Sequence, residues 1–192
     1  MHKKDIIDIF KKWGGMLEGH FLLTSGLHSD RYLQCALVLQ DPTVAELLCR
    51  KLAAKIPQTK VDIVIGPALG GVTLAYEMAR QLGALALFTE RENGRMTLRR
   101  GFKIPPGAKV LVVEDVVTTG GSVREVMKVV KDLGGQVAGV ASLVDRSNGR
   151  VELGYPLYSL LALEVVSYKP EECPLCEKGL PVVKPGSRKS VN

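Results

Sequence analysis

The apolar run Val110-Leu111-Val112-Val113, followed at once by Glu114-Asp115, constrains this chain more than any other feature. Four apolar residues without alternation suit a strand covered on both faces. Strands of that kind belong to parallel sheets with helices on each side. Two adjacent carboxylates then arrive at the carboxyl end of the strand, where sheets of this type bind ligands. Val116, Val117, Thr118, Thr119, Gly120, Gly121 and Ser122 turn the chain into a helix with Val123, Val126, Met127, Val130 and Leu133 at helical spacing.

The same alternation recurs. Val61–Ile65 reads as a strand ending at Gly66-Pro67, Gly71–Leu82 as a helix, Ala84–Phe88 as a strand and Val137–Val144 as another. The fold class is therefore α/β, a mainly parallel twisted sheet flanked by helices. Before it, Lys3–Leu17 has the pattern of an amphipathic helix, and residues 19–41 read as loops and short extended pieces. Asp41-Pro42 is a helix start, with the helix running toward Pro57. Residues 89–109 read as a long polar connection carrying Arg91, Arg95, Arg99 and Arg100. Leu157–Tyr168 adds a strand or helix. Residues 1–168 are expected to form one domain, and residues 169–192, rich in Pro, Gly, Lys and Ser, an extended tail with disorder after Gly186.

Backbone amides at a helix start, next to small residues, cradle phosphate. Thr118, Thr119 and Ser122 add hydroxyls. Glu114 and Asp115 can hold ribose hydroxyls and favour a bound Mg²⁺. An ordinary turn with a capping hydroxyl would account for Thr118–Ser122 but leaves the acidic pair unexplained. The loop has no Gly-Lys-Ser/Thr, so it is not a Walker A loop, and it is not a GxGxxG fingerprint.

The net charge of +6 and pI near 9.2 suit either nucleic acid or phosphorylated small molecules. Aromatic residues make up only 5%, few surfaces for stacking bases, so no nucleic-acid partner is expected. No apolar run approaches the roughly 20 residues of a membrane span. The N-terminus has no apolar export segment, so the expected location is the cytoplasm. Cys35 and Cys49 sit among apolar residues as buried thiols. Cys173 and Cys176 are the only close pair; a zinc site needs about four ligands. The pair therefore reads as a surface turn, with a site shared across a symmetric dimer as the other option.

The stretch from Val110 to Ser122 closely resembles the signature of type I phosphoribosyltransferases, which bind phosphoribosyl pyrophosphate (PRPP) with Mg²⁺. The resemblance implies that Glu114 and Asp115 hold the ribose, and that Val116, Val117, Thr118, Thr119, Gly120, Gly121 and Ser122 hold its 5′-phosphate. Mg²⁺ would be held mainly through PRPP, without a dedicated set of protein ligands. Pro67, Ala68, Leu69, Gly70 and Gly71 resemble the family's pyrophosphate loop, which often contains a non-proline cis peptide.

Phe21–Tyr32 resembles the N-terminal hood of orotate phosphoribosyltransferases, and Val144-Asp145-Arg146 matches their orotate-binding segment. The resemblance covers about residues 1–168. It implies that Thr118, Arg146, Tyr32 and Leu33 meet orotate, the arginine taking its carboxylate. Many orotate enzymes have a lysine where this chain has Gly70, and a flexible loop of lysines and a histidine. Residues 90–100 here carry arginines instead, as in a variant branch. The resemblance implies Arg91, Arg95, Arg99 and Arg100 as catalytic cations on the leaving diphosphate, shared across a homodimer interface. It implies formation of orotidine 5′-monophosphate, a step in pyrimidine synthesis. The alternatives are a purine or xanthine phosphoribosyltransferase, or a non-catalytic regulator that senses PRPP and binds nucleic acid.

Overall fold

The computed structural model describes residues 2–23, 25–57 and 60–185. In chain order the elements are α1 (Lys3–Lys12), β1 (Met16–Leu22), β2 (His28–Leu33), α2 (Cys35–Leu39), α3 (Pro42–Ala53), β3 (Ile63–Pro67) and α4 (Gly70–Leu82). There follow β4 (Leu85–Glu92), β5 (Arg95–Leu98), β6 (Lys109–Val117), α5 (Gly121–Asp132), β7 (Gln136–Asp145), β8 (Leu157–Ala162), β9 (Ser167–Tyr168) and α6 (Pro174–Glu177).

The apolar runs pair into a six-stranded sheet ordered β5-β4-β3-β6-β7-β8. Its pairings are parallel except β4 with β5. β6 lies between β3 and β7, and its residues alternate between two buried layers. Val110 and Val112 pack with Val123, Val126 and Val130 of α5. Leu111 and Val113 pack on the other side with Leu48 and Leu52 of α3 and Leu74 and Met78 of α4. Both faces are dry, which is why the strand shows no polar alternation. Truncating a fully buried side chain such as Leu52 to alanine would cost about 2–5 kcal/mol.

Helix ends follow their local chemistry. The Asp41 carboxylate accepts from the amides of Thr43 (2.8 Å) and Val44 (3.3 Å), and Pro42 fills the first turn. Gly83 closes α4 in a left-handed conformation that glycine adopts without steric cost. The first helix stops at Lys12 and not Leu17, because Met16 onward enters β1.

Two regions differ from expectation. Residues 89–109 are not simply a connection: β4 continues to Glu92 and folds back as β5 through Asn93-Gly94, both at positive φ. Residues 19–41 are more ordered than loops, since β1, β2 and β9 form a second, antiparallel sheet. This small sheet is the hood.

The segment after Tyr168 is also more structured than a plain extended tail. Pro170–Glu172 forms a 3-10 turn and α6 follows. Val183 then bridges Phe21, its amide donating to His20 O (2.8 Å). Cys173 is fully buried and Cys176 exposed, and both lie against His20, so the pair is more than a surface turn. The disorder expected after Gly186 lies outside the described residues.

Candidate active site

Strand geometry decides where the acidic pair points. Successive residues of β6 face opposite sides of the sheet. Glu114 lies with Val117, Thr118, Gly120 and Ser122 around a narrow cleft at the start of α5. Asp115 lies with Gln34, Leu69, Gly70 and Thr73 around a second cleft of about 350 Å³. Each carboxylate thus serves a different loop. Asp115 Oδ1 accepts from the Val116 amide (2.9 Å). Burial, and next the charge of Asp115, push the Glu114 carboxyl well above the usual range. Extra negative charge at this edge is unfavourable until hydroxyls or a cation meet it.

The loop after β6 is fixed by local contacts. Gly120 takes φ +75°, and a Cβ there would meet Leu153 at 2.7 Å, so glycine is required. The Arg124 guanidinium braces the loop, donating to Thr119 O (2.5 Å) and Glu152 O (2.7 Å). Among the described residues, the backbone amides of Thr118–Ser122 donate to no carbonyl, and the hydroxyls of Thr118, Thr119 and Ser122 have no partner. These donors sit at the positive end of the α5 dipole.

Pro67–Gly71 reaches the same edge from β3. The Ala68 amide donates to Thr89 O (2.7 Å), and the Ala68–Leu69 peptide is cis, the feature expected of this loop. Leu69 is 88% exposed. Gly66 and Gly71 touch: a Cβ on Gly66 would lie 2.7 Å from Gly71 O. A Cβ on Gly70 would lie 2.9 Å from Asp115 Oδ2, which places this loop directly over the carboxylate.

A third cleft, of about 400 Å³, opens between the hood and the Thr118 loop. Leu27, Tyr32, Thr118, Thr119, Arg146 and Ser167 are among its walls. Asp145 builds the turn that presents Arg146. Its carboxylate accepts from the Ser147 amide (2.8 Å), the Ser147 hydroxyl (2.6 Å) and the Gly149 amide (2.8 Å). The Arg146 amide is tied to Val117 O (2.8 Å). Among the described residues the Arg146 guanidinium has no hydrogen-bonding partner. Burial lowers its pKa, with Asp30 opposing.

Leu33 does not join Tyr32 at this cleft. Neighbours on a strand face opposite ways, and Leu33 is buried in the core with Met16. Ser167 and Leu27 line the cleft and were not singled out as base contacts; nothing in their local pattern marks them.

The four arginines stand on or beside the β4–β5 hairpin. Arg91 bonds Glu125 (2.8 Å) and Gly94 O (2.9 Å), Arg100 makes a two-pronged contact with Glu90 (2.8 Å each), and Arg99 lies 3.4 Å from Glu92. Arg95 lines a separate cleft with Glu125, Lys128 and Asp132. None of the four lines the clefts around Glu114, Asp115 or Arg146.

A mainly parallel sheet whose central strand ends in two carboxylates, flanked by a loop of unpaired amides after β6 and a glycine-rich loop after β3, defines a class that handles a phosphorylated sugar. Residues 39–173 match the phosphoribosyl transferase domain, and the chain belongs to that family. Its sequence is 63% identical over 189 residues to the orotate phosphoribosyltransferase of Pelotomaculum thermopropionicum, covering 98% of this chain and 100% of that one. It is 60% identical to the orotate phosphoribosyltransferase of Caldicellulosiruptor bescii, with the same coverage. The crystal structure of orotate phosphoribosyltransferase from Aeropyrum pernix superposes with a TM-score of 0.70 at 27% identity, over 83% of this chain and 94% of that one.

Proposed function

We propose that this chain transfers the 5-phosphoribosyl group from PRPP to orotate, giving orotidine 5′-monophosphate and diphosphate. The observation that carries the choice of base is Arg146: a half-buried guanidinium, unpaired among the described residues, in a cleft beside the Thr118 loop. A planar carboxylate offers it a two-pronged, charge-assisted partner. Purines have no carboxylate to give, so this cleft suits them less. The names of the relatives support the same reading.

In this mechanism the amides and hydroxyls of Thr118–Ser122 bind the 5′-phosphate, with Val116 and Val117 setting the loop. Glu114 and Asp115 hold the ribose hydroxyls, and the Pro67–Gly71 loop takes the diphosphate through the amides of Leu69, Gly70 and Gly71, since Pro67 has no N–H and the Ala68 amide is given to Thr89 O. As the bond from C1 to diphosphate stretches, positive charge grows on the ribose and negative charge on the leaving group. N1 of orotate attacks C1 from the opposite face. Orotate is already an anion, so no protein base is assigned. The fold alone disfavours a second negative charge on the carboxylate pair, and a hard divalent ion would favour it; Mg²⁺ would supply charge stabilisation to the diphosphate when bound.

Arg91, Arg95, Arg99 and Arg100 are proposed to reach the diphosphate from the partner subunit of a homodimer. Their position away from the chain's own clefts supports this. Residues 1–168 would form the catalytic domain and residues 169–192 an appended segment. A cytoplasmic location is in keeping with the four free cysteines. Among the described residues no helix is long and apolar enough to cross a membrane.

The test is diphosphate release from PRPP with orotate, uracil, adenine, hypoxanthine or xanthine. Turnover with orotate alone is expected. Turnover with a purine and none with orotate would overturn the choice of base. Salt-dependent nucleic-acid binding without any turnover would favour a regulator.

A further inference from the structure

Away from the three clefts, four metal-binding side chains from distant parts of the chain meet at one point. His20 comes from β1, His28 from β2, and Cys173 and Cys176 from either side of the first turn of α6. One ligand atom from each lies within 4.8 Å of all the others. Three of the four residues are buried; only Cys176 is exposed. Buried polar groups are costly unless matched, yet in this pocket the four have chiefly one another.

The distances are those of a small tetrahedron. Zinc bonds of about 2.0–2.1 Å to nitrogen and about 2.3 Å to sulfur, at tetrahedral angles, put ligand nitrogen and sulfur about 3.5 Å apart. Cys173 Sγ is 3.6 Å from His20 Nε2, and Cys176 Sγ is 3.7 Å from His20 Nε2 and 3.3 Å from His28 Nδ1. The two ring nitrogens are 2.8 Å apart, closer than the roughly 3.3 Å of a tetrahedral edge, so an ion would part the rings by about half an ångström.

A second feature orients the ligands. His20 Nδ1 lies 2.8 Å from Leu180 O. Only a protonated Nδ1 can donate to that carbonyl, which leaves Nε2 with its lone pair toward the other three groups. A backbone acceptor on the far nitrogen is the usual partner of a metal-bound imidazole. The donor set is mixed imidazole and thiolate, which selects zinc over magnesium or calcium. Four protein ligands leave no open position, so the site is structural. Two thiolates would cancel the charge of the dication, and two thiol protons would leave on binding.

We infer that His20, His28, Cys173 and Cys176 bind one Zn²⁺ per chain and clamp the C-terminal segment onto the hood. The inference is independent of which base the enzyme uses. The clamp adds to the main-chain contacts of Val183 with His20 O (2.8 Å) and the Leu22 amide (2.9 Å). It holds β1 and β2, and hence Tyr32, over the third cleft.

The experiment uses the full chain, purified without a histidine tag, and measures metal by elemental analysis. About one equivalent of zinc per chain is expected. Replacing zinc by Co²⁺ should give the visible absorption of a tetrahedral cobalt site with a thiolate charge-transfer band. Cys176→Ser, at an exposed position that should not impair folding, is expected to remove most of the metal and that band. Cys49→Ser should keep both. Chelation of the wild type should lower its melting temperature, and added zinc should restore it. The inference is overturned by a folded wild-type protein that takes up neither Zn²⁺ nor Co²⁺ in stoichiometric amount. It is equally overturned by full metal content in a Cys176→Ser/His28→Ala double variant, or by a Cys173–Cys176 disulfide in the native protein.

Discussion

The carboxyl edge of the six-stranded sheet and the hood are assembled in different ways. At the sheet edge, Glu114, Asp115 and the Thr118–Ser122 loop are consecutive, and two dry layers fix the strand beneath them. In the hood, a three-stranded sheet with little core of its own depends on contacts between residue 20 and residues 173–183. The sheet edge thus rests on local hydrophobic packing, and the hood adds to its packing through Met16 and Leu33 a set of contacts from distant parts of the sequence. Damage at the edge should remove chemistry with little loss of fold. Damage in the hood should loosen the base cleft and lower stability.

The largest effect should come from Glu114→Ala/Asp115→Ala, expected to lower kcat/KM by about 1,000-fold or more, roughly 4 kcal/mol of transition-state binding. Steady-state kinetics test it, and retained activity would break the division between the regions. Arg146→Ala should raise the KM for orotate about 10- to 100-fold and leave the KM for PRPP nearly unchanged, since one charge-assisted contact is worth about 1.5–3 kcal/mol. Equal effects on both substrates would place Arg146 outside the base cleft.

Cys176→Ser should lower the melting temperature by roughly 5 °C and raise the KM for orotate more than that for PRPP. Calorimetry beside kinetics separates this from a change at the edge. Glu114→Gln should stabilise the free protein while slowing catalysis. The folded-state pKa of Glu114 is raised, so the folded state holds its proton longer than the unfolded chain. The stability that this group withholds is absent at low pH and grows as pH rises from the unfolded value toward the folded one. The substitution should therefore raise the melting temperature at pH 8 by a few degrees, and by less at pH 5. The smallest effect belongs to Arg100→Ala: its contact with Glu90 is solvent-exposed, so the melting temperature should not change, whereas dimer-dependent turnover should fall if the hairpin reaches the partner's diphosphate.

Sequence reasoning reached the edge because its parts are contiguous. The unalternating strand, the acidic pair and the glycine-ended turn lie within residues 110–122, and each has a local physical reason. It named Leu33 together with Tyr32 because the resemblance covers a segment, while the strand's two-residue period turns the Leu33 side chain to the core and the Tyr32 side chain to the cleft. It missed the β4–β5 hairpin although Asn93-Gly94 is a strong turn signal, since the arginines drew the segment toward a loop reading. It stopped at two cysteines because His20 lies 153 residues from Cys173, and only tertiary pairing brings them together. Isolated histidines in a strand carry no ligand periodicity, so no local rule could have joined them.

Because adjacent residues of β6 look to opposite sides of the sheet, no compact anion can occupy both loops at once. A molecule that satisfies them must straddle the strand end, one charged group on each flank and a hydroxylated bridge between. Phosphate or diphosphate alone should occupy one flank and leave the other open to a second anion. Under the proposed function, the single peptide joining Glu114 to Asp115 would set the span between the two charged ends of the ligand.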